Sequence, residues 1–231
     1  MKNSCIAFKL NYCDGGRDED HVGFQGLCSY ENMYYNVFEA RPPRPWCSNR
    51  RCDCRKYLDE WITWRDLNKK IREGFFPCMD SAALIDWCMA AGSTSDGATT
   101  KKIRQGKENH LCIFTTREQK TTTREQKTTS DKDRIIFAMF IMHEIFSGDD
   151  DESGFVTADD YWRLEFRPRE AAKLKFWDFY QNKDGSTRWS GLFRYFDDAT
   201  AVKLLEMAVK VKRGTPEESF AKEFLKHYPY K

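Results

Sequence analysis

The chain has 231 residues, 40% of them apolar and 15% aromatic, with a formal net charge of +2. That length supplies a conventional core without disulfide staples, the aromatic content argues against wholesale disorder, and no run approaches the roughly 18 apolar residues of a membrane helix. The opening stretch MKNSCIAFKLNYCDGG carries no signal-peptide core, so the cytosol is the expected compartment, where cysteines stay thiols unless they bind metal or do chemistry.

In chain order, the first expected element is a short helix in SYENMYYNVF, with Ser29 as N-cap and Met33, Tyr34, Val37 and Phe38 on one side. RPPRP cannot continue it, because proline removes donors and biases its neighbours to extended geometry, so 40–45 reads as a stiff loop. KYLDEWITWRDLNKKIREG then places Leu58, Trp61, Trp64, Leu67 and Ile71 near helical spacing, with Gly74 as the stop. DSAALIDWCMAAG predicts another helix, capped by Asp80 and ended by Gly92. The small, polar and basic stretch that follows marks a boundary near residue 100, giving expected parts at 1–100 and 101–231.

HLCIFT, RIIFAMFIMHEIF and DYWRLEF are rich in β-branched and aromatic residues and read as strands. Between the first two, TTREQKT occurs twice in tandem, at 115–121 and 122–128. A duplicated heptad without apolar residues cannot pack, so it predicts an expanded hairpin loop and not a coiled coil. RPREAAKLKFWDFYQN, DDATAVKLLEMAVKVKRG and TPEESFAKEFLKHY read as helices, the last with Thr215 as N-cap, Pro216 at the first position and Glu218 completing a capping box. The mixture predicts an α+β fold.

The most specific motif is WCSNRRCDCRKYL. Thiolates bind zinc tetrahedrally, and ligands one to four residues apart let a tight turn present them to one ion. Cys47, Cys52 and Cys54 satisfy this locally; Cys28 is the expected fourth ligand, because a helix and a proline-stiffened return can bring it back, with His21 in reserve. Free core thiols and redox chemistry are the competing readings. Around these sulfurs six cations (Arg41, Arg44, Arg50, Arg51, Arg55, Lys56) face one anion, Asp53. From 101 to 134 ten cations face five anions, whereas DDDESGFVTADD (149–160) carries six acids and no base. Segregated charge of this kind suits a polyanionic partner. The acidic stretch also approaches calcium-loop spacing, but a strand and not a helix leads into it, so a solvated loop between strands is the expectation.

No P-loop, GxSxG, HExxH or GxGxxG motif is present. His143 beside Glu144 is the remaining acid-base candidate. KFWDFYQNKDGSTRWSGLFRYF (175–196) interleaves eight aromatics with Lys175, Lys183, Arg188 and Arg194. Bases stack on such rings and phosphates pair with such cations. Most of these rings read as core, while the polar, glycine-containing stretch 181–191 lets Trp189 line a cleft.

The order HLCIFTTR, polar loop, RIIFAMFIMHEIF, acidic turn, YWRLEF, then FWDFY and SGLFRYF resembles small PUA-like barrels of the EVE and ASCH kind over about residues 105–212. It is also similar to bacterial proteins in which such a half follows a cysteine-containing start. The resemblance implies a small β-barrel with flanking helices that reads nucleic acid, often by seating a modified or flipped base in an aromatic pocket. It assigns that pocket to Thr116 and Arg117, with Trp177 and Trp189 as stacking rings; the duplicated loop departs from the pattern close to Arg117. The resulting expectation is a nonenzymatic reader of DNA or RNA, with a zinc-stabilised helical and loop module ahead of the barrel and no membrane association. Zinc would order Arg50, Arg51, Arg55 and Lys56 for phosphate contacts, Arg194 would add to the second half's cationic surface, and a partner nuclease would supply any cleavage. The alternatives are a metal-dependent nuclease or base-modifying enzyme using the acidic loop and His143, and a zinc-stabilised protein-interaction module.

Overall fold

A computed structural model describes residues 3–40, 44, 46–92, 101–117, 119–122, 125–128 and 131–229. The proline-rich loop, apart from Arg44, and the linker at 93–100 fall outside the described residues. The architecture is α+β, built on a curled six-stranded mixed sheet. β1 (Cys5–Lys9) comes first, followed by α1 (Tyr30–Tyr34), whose Ser29 Oγ accepts from the Asn32 amide as the cap pattern predicts. The helix widens into a π turn over Tyr35–Glu39.

The long helix expected after the thiols is two: α2 (Asp53–Leu58) and α3 (Trp64–Arg72). Glu60 at φ 61° breaks the first, and Thr63 and Asp66 cap each other's backbone to start the second. A reciprocal cap at the start outweighs the continuous apolar spacing that suggested one helix. The helix expected in DSAALIDWCMAAG is likewise one short turn, α4 (Ala83–Asp86); Trp87 at φ 48° ends it, and β2 (Cys88–Ala90) follows.

β3 (Leu111–Arg117), β6 (Arg134–Gly148) and β7 (Ser153–Glu165) occupy the expected strand segments. Between β3 and β6, β4 (Gln119–Thr122) pairs antiparallel with β5 (Glu125–Thr128), so the duplicated heptad forms a hairpin. After β7 come α5 (Pro168–Ala171), β8 (Phe193–Phe196), α6 (Asp198–Val211) and α7 (Glu218–His227). α7 starts two residues later than its sequence signals: Thr215 Oγ1 donates to the Lys212 carbonyl, and Glu218 accepts from the Gly214 amide.

The sheet order is β2-β7-β6-β3-β1-β8, with β1 and β3 parallel and every other pair antiparallel. β1 and β2 lie before residue 100 and the other strands after it, so the sheet draws on both sides of the expected boundary. Register shifts at Phe114/Thr115, Phe140/Met142 and Met142/Glu144 bend the strands, since an unmatched residue increases local twist. β2 and β8 are the two edges, so the sheet forms a half-barrel. β3 and the first nine residues of β6 are buried almost without alternation, which accounts for their continuous apolar runs. Phe24 stacks on Phe137 at 4.1 Å, and Phe8, Phe114 and Phe140 meet edge to face. Each buried ring contributes on the order of 2–3 kcal/mol.

Candidate functional site

The parallel pairing of β1 with β3 brings their carboxyl ends to one margin of the sheet, and antiparallel β6 begins there. Lys9 closes β1, Arg117 closes β3, and Arg134 opens β6 directly opposite Arg117 in the register. A fourth cation, Arg44, arrives from the loop before the thiols. These four, with Asn11, Tyr12 and Asn36, line a crevice of about 10 Å³, the volume of about one water or one anion oxygen.

Arg134 is 1% exposed. Its Nη2 donates to Asp131 Oδ1 at 2.8 Å and its Nη1 to the Thr115 carbonyl and hydroxyl, both at 3.3 Å. Arg117 Nε donates to the same Asp131 oxygen at 3.0 Å. One carboxylate therefore serves two guanidiniums. The side-chain Nε atoms of Arg134 and Arg44 are buried with no hydrogen-bond partner among the described residues. The electrostatics express this surplus. Burial lowers Lys9 to about 8, Asp131 opposes that, and Arg134, Arg117 and Arg44 lower it further. Burial takes Arg134 down to about 10 against the support of Asp131. Burial and the charge of Arg117 lower Arg44. Burial alone would raise Asp131, yet the hydrogen bond and charge of Arg134, with Lys9 and Arg117, hold it below the usual carboxylate range.

Tyr12 and Arg117 also line a wider cleft of about 260 Å³, completed by Arg17, Val22, Thr116, Ile135, Pro168, Arg169 and Ala172. That is just under the ~300–1,000 Å³ of small-molecule pockets. Its lining carries three arginines and no acid. Arg17 donates to the Tyr12 hydroxyl at 2.7 Å, and burial pushes the phenol up to about 12 against the opposing charge and hydrogen bond of Arg17.

Thr116 and Arg117 line the cleft. Trp177 and Trp189 stand behind the crevice. The Trp177 indole donates to the Asp131 carbonyl, and the Trp189 carbonyl accepts from Lys9 Nζ at 3.0 Å. Trp189 is 4% exposed, with Phe176 at 4.5 Å and the guanidiniums of Arg134 and Arg194 over its ring at 5.0 and 5.6 Å. Those contacts leave it no face for a base; it supports the crevice floor. Arg50 and Arg51 are exposed, Arg55 pairs with Asp59 at 2.7 Å and Lys56 with Asp53 at 3.0 Å. The sequence does not single out Lys9 or Arg134, and it places Arg44 only among the cations around the thiols. The one available signal was a cation heading an apolar strand, as in Arg134-Ile-Ile-Phe.

The thiols gather beside this margin. Gly15 and Gly23 permit the approach: a Cβ on Gly15 would lie 2.1 Å from the Gly26 oxygen, and one on Gly23 (φ 118°) 2.1 Å from the Cys13 oxygen. Cys28 Sγ consequently meets Cys13 Sγ at 2.9 Å. The Trp46 indole donates to the Pro77 carbonyl at 2.9 Å and the Gly26 amide to the Ser81 carbonyl at 2.7 Å, tying in the segment of Cys78. Cys28, Cys47, Cys52, Cys54 and Cys78 are neighbours: burial, with the charge of nearby thiols behind it, raises Cys47 and Cys78, while the hydrogen bond between Cys52 and Cys54 raises Cys54 and lowers Cys52. The four expected ligands are thus in one corner, together with Cys13 and Cys78. Their chemistry suits zinc, but among the described residues no three Cys, His, Asp or Glu side chains are placed to hold one ion.

Two enzyme-like features have structural roles. Asp149 Oδ1 accepts from the amides of Asp151 and Glu152, closing a tight turn, and residues from 153 onward continue as β7. Cys5, Asp198 and His110 sit together, with Cys5 Sγ at 3.5 Å from Asp198 Oδ1 and His110 Nε2 at 3.7 Å from Oδ2. Cys5 is wholly buried, and desolvation raises it to about 12, so the thiol stays protonated and is not a nucleophile. No helix among the described residues is long and apolar enough to cross a membrane. No protein-family model, curated protein or solved structure matches the chain. Fold and site define an α+β protein with a cationic crevice at the carboxyl ends of its parallel strands.

Proposed function

We propose that the protein is a nonenzymatic nucleic-acid reader that holds a backbone phosphate at the crevice and a base in the adjoining cleft. The observation that carries this reading is Arg134, a buried guanidinium whose Nε has no hydrogen-bond partner among the described residues, in a crevice lined by four cations, of which Arg117 and Arg134 share Asp131 while Asp80 lies near Arg44. Buried charges are costly unless paired, so the group favours an added anion. A phosphate oxygen fits the narrow crevice, and guanidiniums suit phosphate through charge-assisted hydrogen bonds. Tyr12 and Arg117 connect phosphate to cleft, where Ile135, Val22 and Pro168 offer apolar contact to a base. The PUA-like resemblance points to the same end of β3 through Thr116 and Arg117, and a flipped or modified base is its natural ligand.

Fluorescence anisotropy with labelled oligonucleotides across a salt series tests this. Binding should weaken steeply with salt, and Arg117→Gln should make the log–log slope shallower by about 0.7–0.9, the share of one phosphate contact. Indifference to nucleic acid at low salt would overturn the reading in favour of a protein-interaction module. Magnesium-dependent turnover lost in Asp149→Ala would replace it with an enzyme. Structural zinc on Cys28, Cys47, Cys52 and Cys54 belongs to the same proposal. Elemental analysis should find one zinc per chain, lost in Cys52→Ser; metal-free wild-type protein would remove it.

A further inference from the structure

The crevice and the cleft beside it differ in burial. Arg134 and Asn36 are buried at the crevice, and the buried Trp189 ring closes the floor beneath the Arg134 guanidinium. Arg17 and Arg169, at the cleft, are exposed. Tyr12 and Arg117 belong to both. Cationic side chains therefore run from an exposed rim, through Arg117, to a closed end at Arg134. We infer that this site takes the phosphorylated end of a nucleic-acid strand, with the terminal phosphomonoester at the crevice and the adjacent internucleotide phosphate at Arg17 and Arg169.

Charge, donors and access each favour a terminal phosphate over an internal one. Lys9, Arg44, Arg117 and Arg134 face two carboxylates: Asp131, shared by Arg117 and Arg134, and Asp80, which accepts from Asn11 at 3.2 Å and lies near Arg44. Burial raises Asp80 to about 6, with Asn11 and Arg44 opposing, so it is mostly ionised at neutral pH. The surplus of about two positive charges matches a monoester, which carries about −1.5 to −2, and exceeds the single charge of an internal phosphate. The Nε atoms of Arg134 and Arg44 have no hydrogen-bond partner among the described residues, and Lys9 gives one of its three ammonium protons to the Trp189 carbonyl. A monoester offers these donors three non-bridging oxygens, where an internal phosphate offers two. An internal phosphate also continues into sugar on both sides, whereas the crevice adjoins the cleft through Tyr12 and Arg117 and ends against Trp189. Val22, Ile135 and Pro168 give the first base apolar contact, and no acid lines the cleft, which leaves Arg17 and Arg169 to the next phosphate.

This inference rests on the nucleic-acid reading and specifies its phosphate, and the test separates the two. Anisotropy compares deoxyadenylate 12-mers that carry a phosphate or a hydroxyl at the 5′ end, and likewise at the 3′ end, each labelled at the opposite terminus. Deoxyadenosine 5′- and 3′-monophosphates serve as competitors. One of the two phosphorylated ends should bind about tenfold more tightly than its hydroxyl counterpart, and about tenfold more tightly than the mononucleotide, which lacks the second phosphate. Arg44→Gln should abolish the preference for a phosphorylated end and leave weak, salt-dependent binding. Lys9→Gln repeats this test should circular dichroism show that Arg44→Gln does not fold. Arg169→Gln should weaken phosphorylated and hydroxyl strands alike; unchanged binding in that variant removes the second subsite. Equal affinity for phosphate and hydroxyl ends with the salt dependence intact, or a preference that survives Arg44→Gln, overturns the strand-end site and leaves the nucleic-acid reading standing. A mononucleotide that binds as tightly as the phosphorylated strand makes the ligand a free nucleotide and overturns the strand end. Absence of binding to every strand at low salt overturns both proposals.

Discussion

Lys9 offers the sharpest test of the crevice, because its proton reports whether an anion has entered. Burial and three neighbouring guanidiniums lower it to about 8. An anion accepting from its ammonium should restore it towards 10.5. Below pH 8 the lysine is already charged and binding costs no proton. Between 8 and 10.5 the free protein has shed a proton that the complex takes back, so affinity falls as pH rises through that window. At pH 9 about one free molecule in eleven remains charged, which sets a ceiling near tenfold loss relative to pH 7. Solvent at the crevice mouth screens the group and reduces this to about fivefold. Stability carries the opposite sign. The unfolded lysine keeps its proton while the folded one gives it up, so the fold gains stability over the same window. Anisotropy with a deoxyadenylate oligonucleotide, whose bases and backbone do not titrate there, measures the affinity at pH 7 and 9. Lys9→Arg should flatten the profile. Equal affinity of wild type at the two pH values, or an equally steep fall in Lys9→Arg, would refute the reasoning.

Asp131→Asn removes the carboxylate shared by Arg117 and the buried Arg134 and should destabilise the fold by about 3 kcal/mol, the low end for breaking a buried pair because Asp131 is 24% exposed. Thermal melts should show added phosphate recovering more stability in this variant than in wild type; equal recovery would count against an anion site. Lys212, 1% exposed, donates to Glu170 at 2.6 Å beneath the Phe166 ring, so Lys212→Ala should cost about 3–5 kcal/mol in chemical denaturation. Burial raises Glu165 to about 7, with His21, Lys212 and the Gln25 hydrogen bond opposing it. The folded state therefore holds a proton that the unfolded state has lost, and stability falls as pH rises from about 4.5 to 7. With solvent screening the loss is about 2 kcal/mol, and denaturation curves of Glu165→Gln should lose that slope.

Local patterns carried much of the architecture. The Ser29 cap, the apolar runs of β3 and β6, the Asp197-capped α6 and the paired duplicated heptad each depend on residues within a few positions of one another. The same locality explains the misses. Continuous apolar spacing concealed the restart at Thr63, and a plausible Thr215 cap lost to a tertiary arrangement in which Lys212 is drawn into the core.

Residue order alone specified an α+β chain with a sulfur-rich start, clustered cations and a polar hairpin, and a resemblance pointed to Thr116 and Arg117. Tertiary contacts alone brought Lys9, Arg44 and Arg134 to Arg117 around one crevice, and Cys13 and Cys78 into the thiol corner. The reason is strand register. Arg134 is one of ten cations between 101 and 134, and its place at the head of an apolar run does not say which charges it will meet. Pairing with Arg117 across β3 and β6, together with the parallel alignment of β1, puts these charges at one sheet margin and buries Arg134 there.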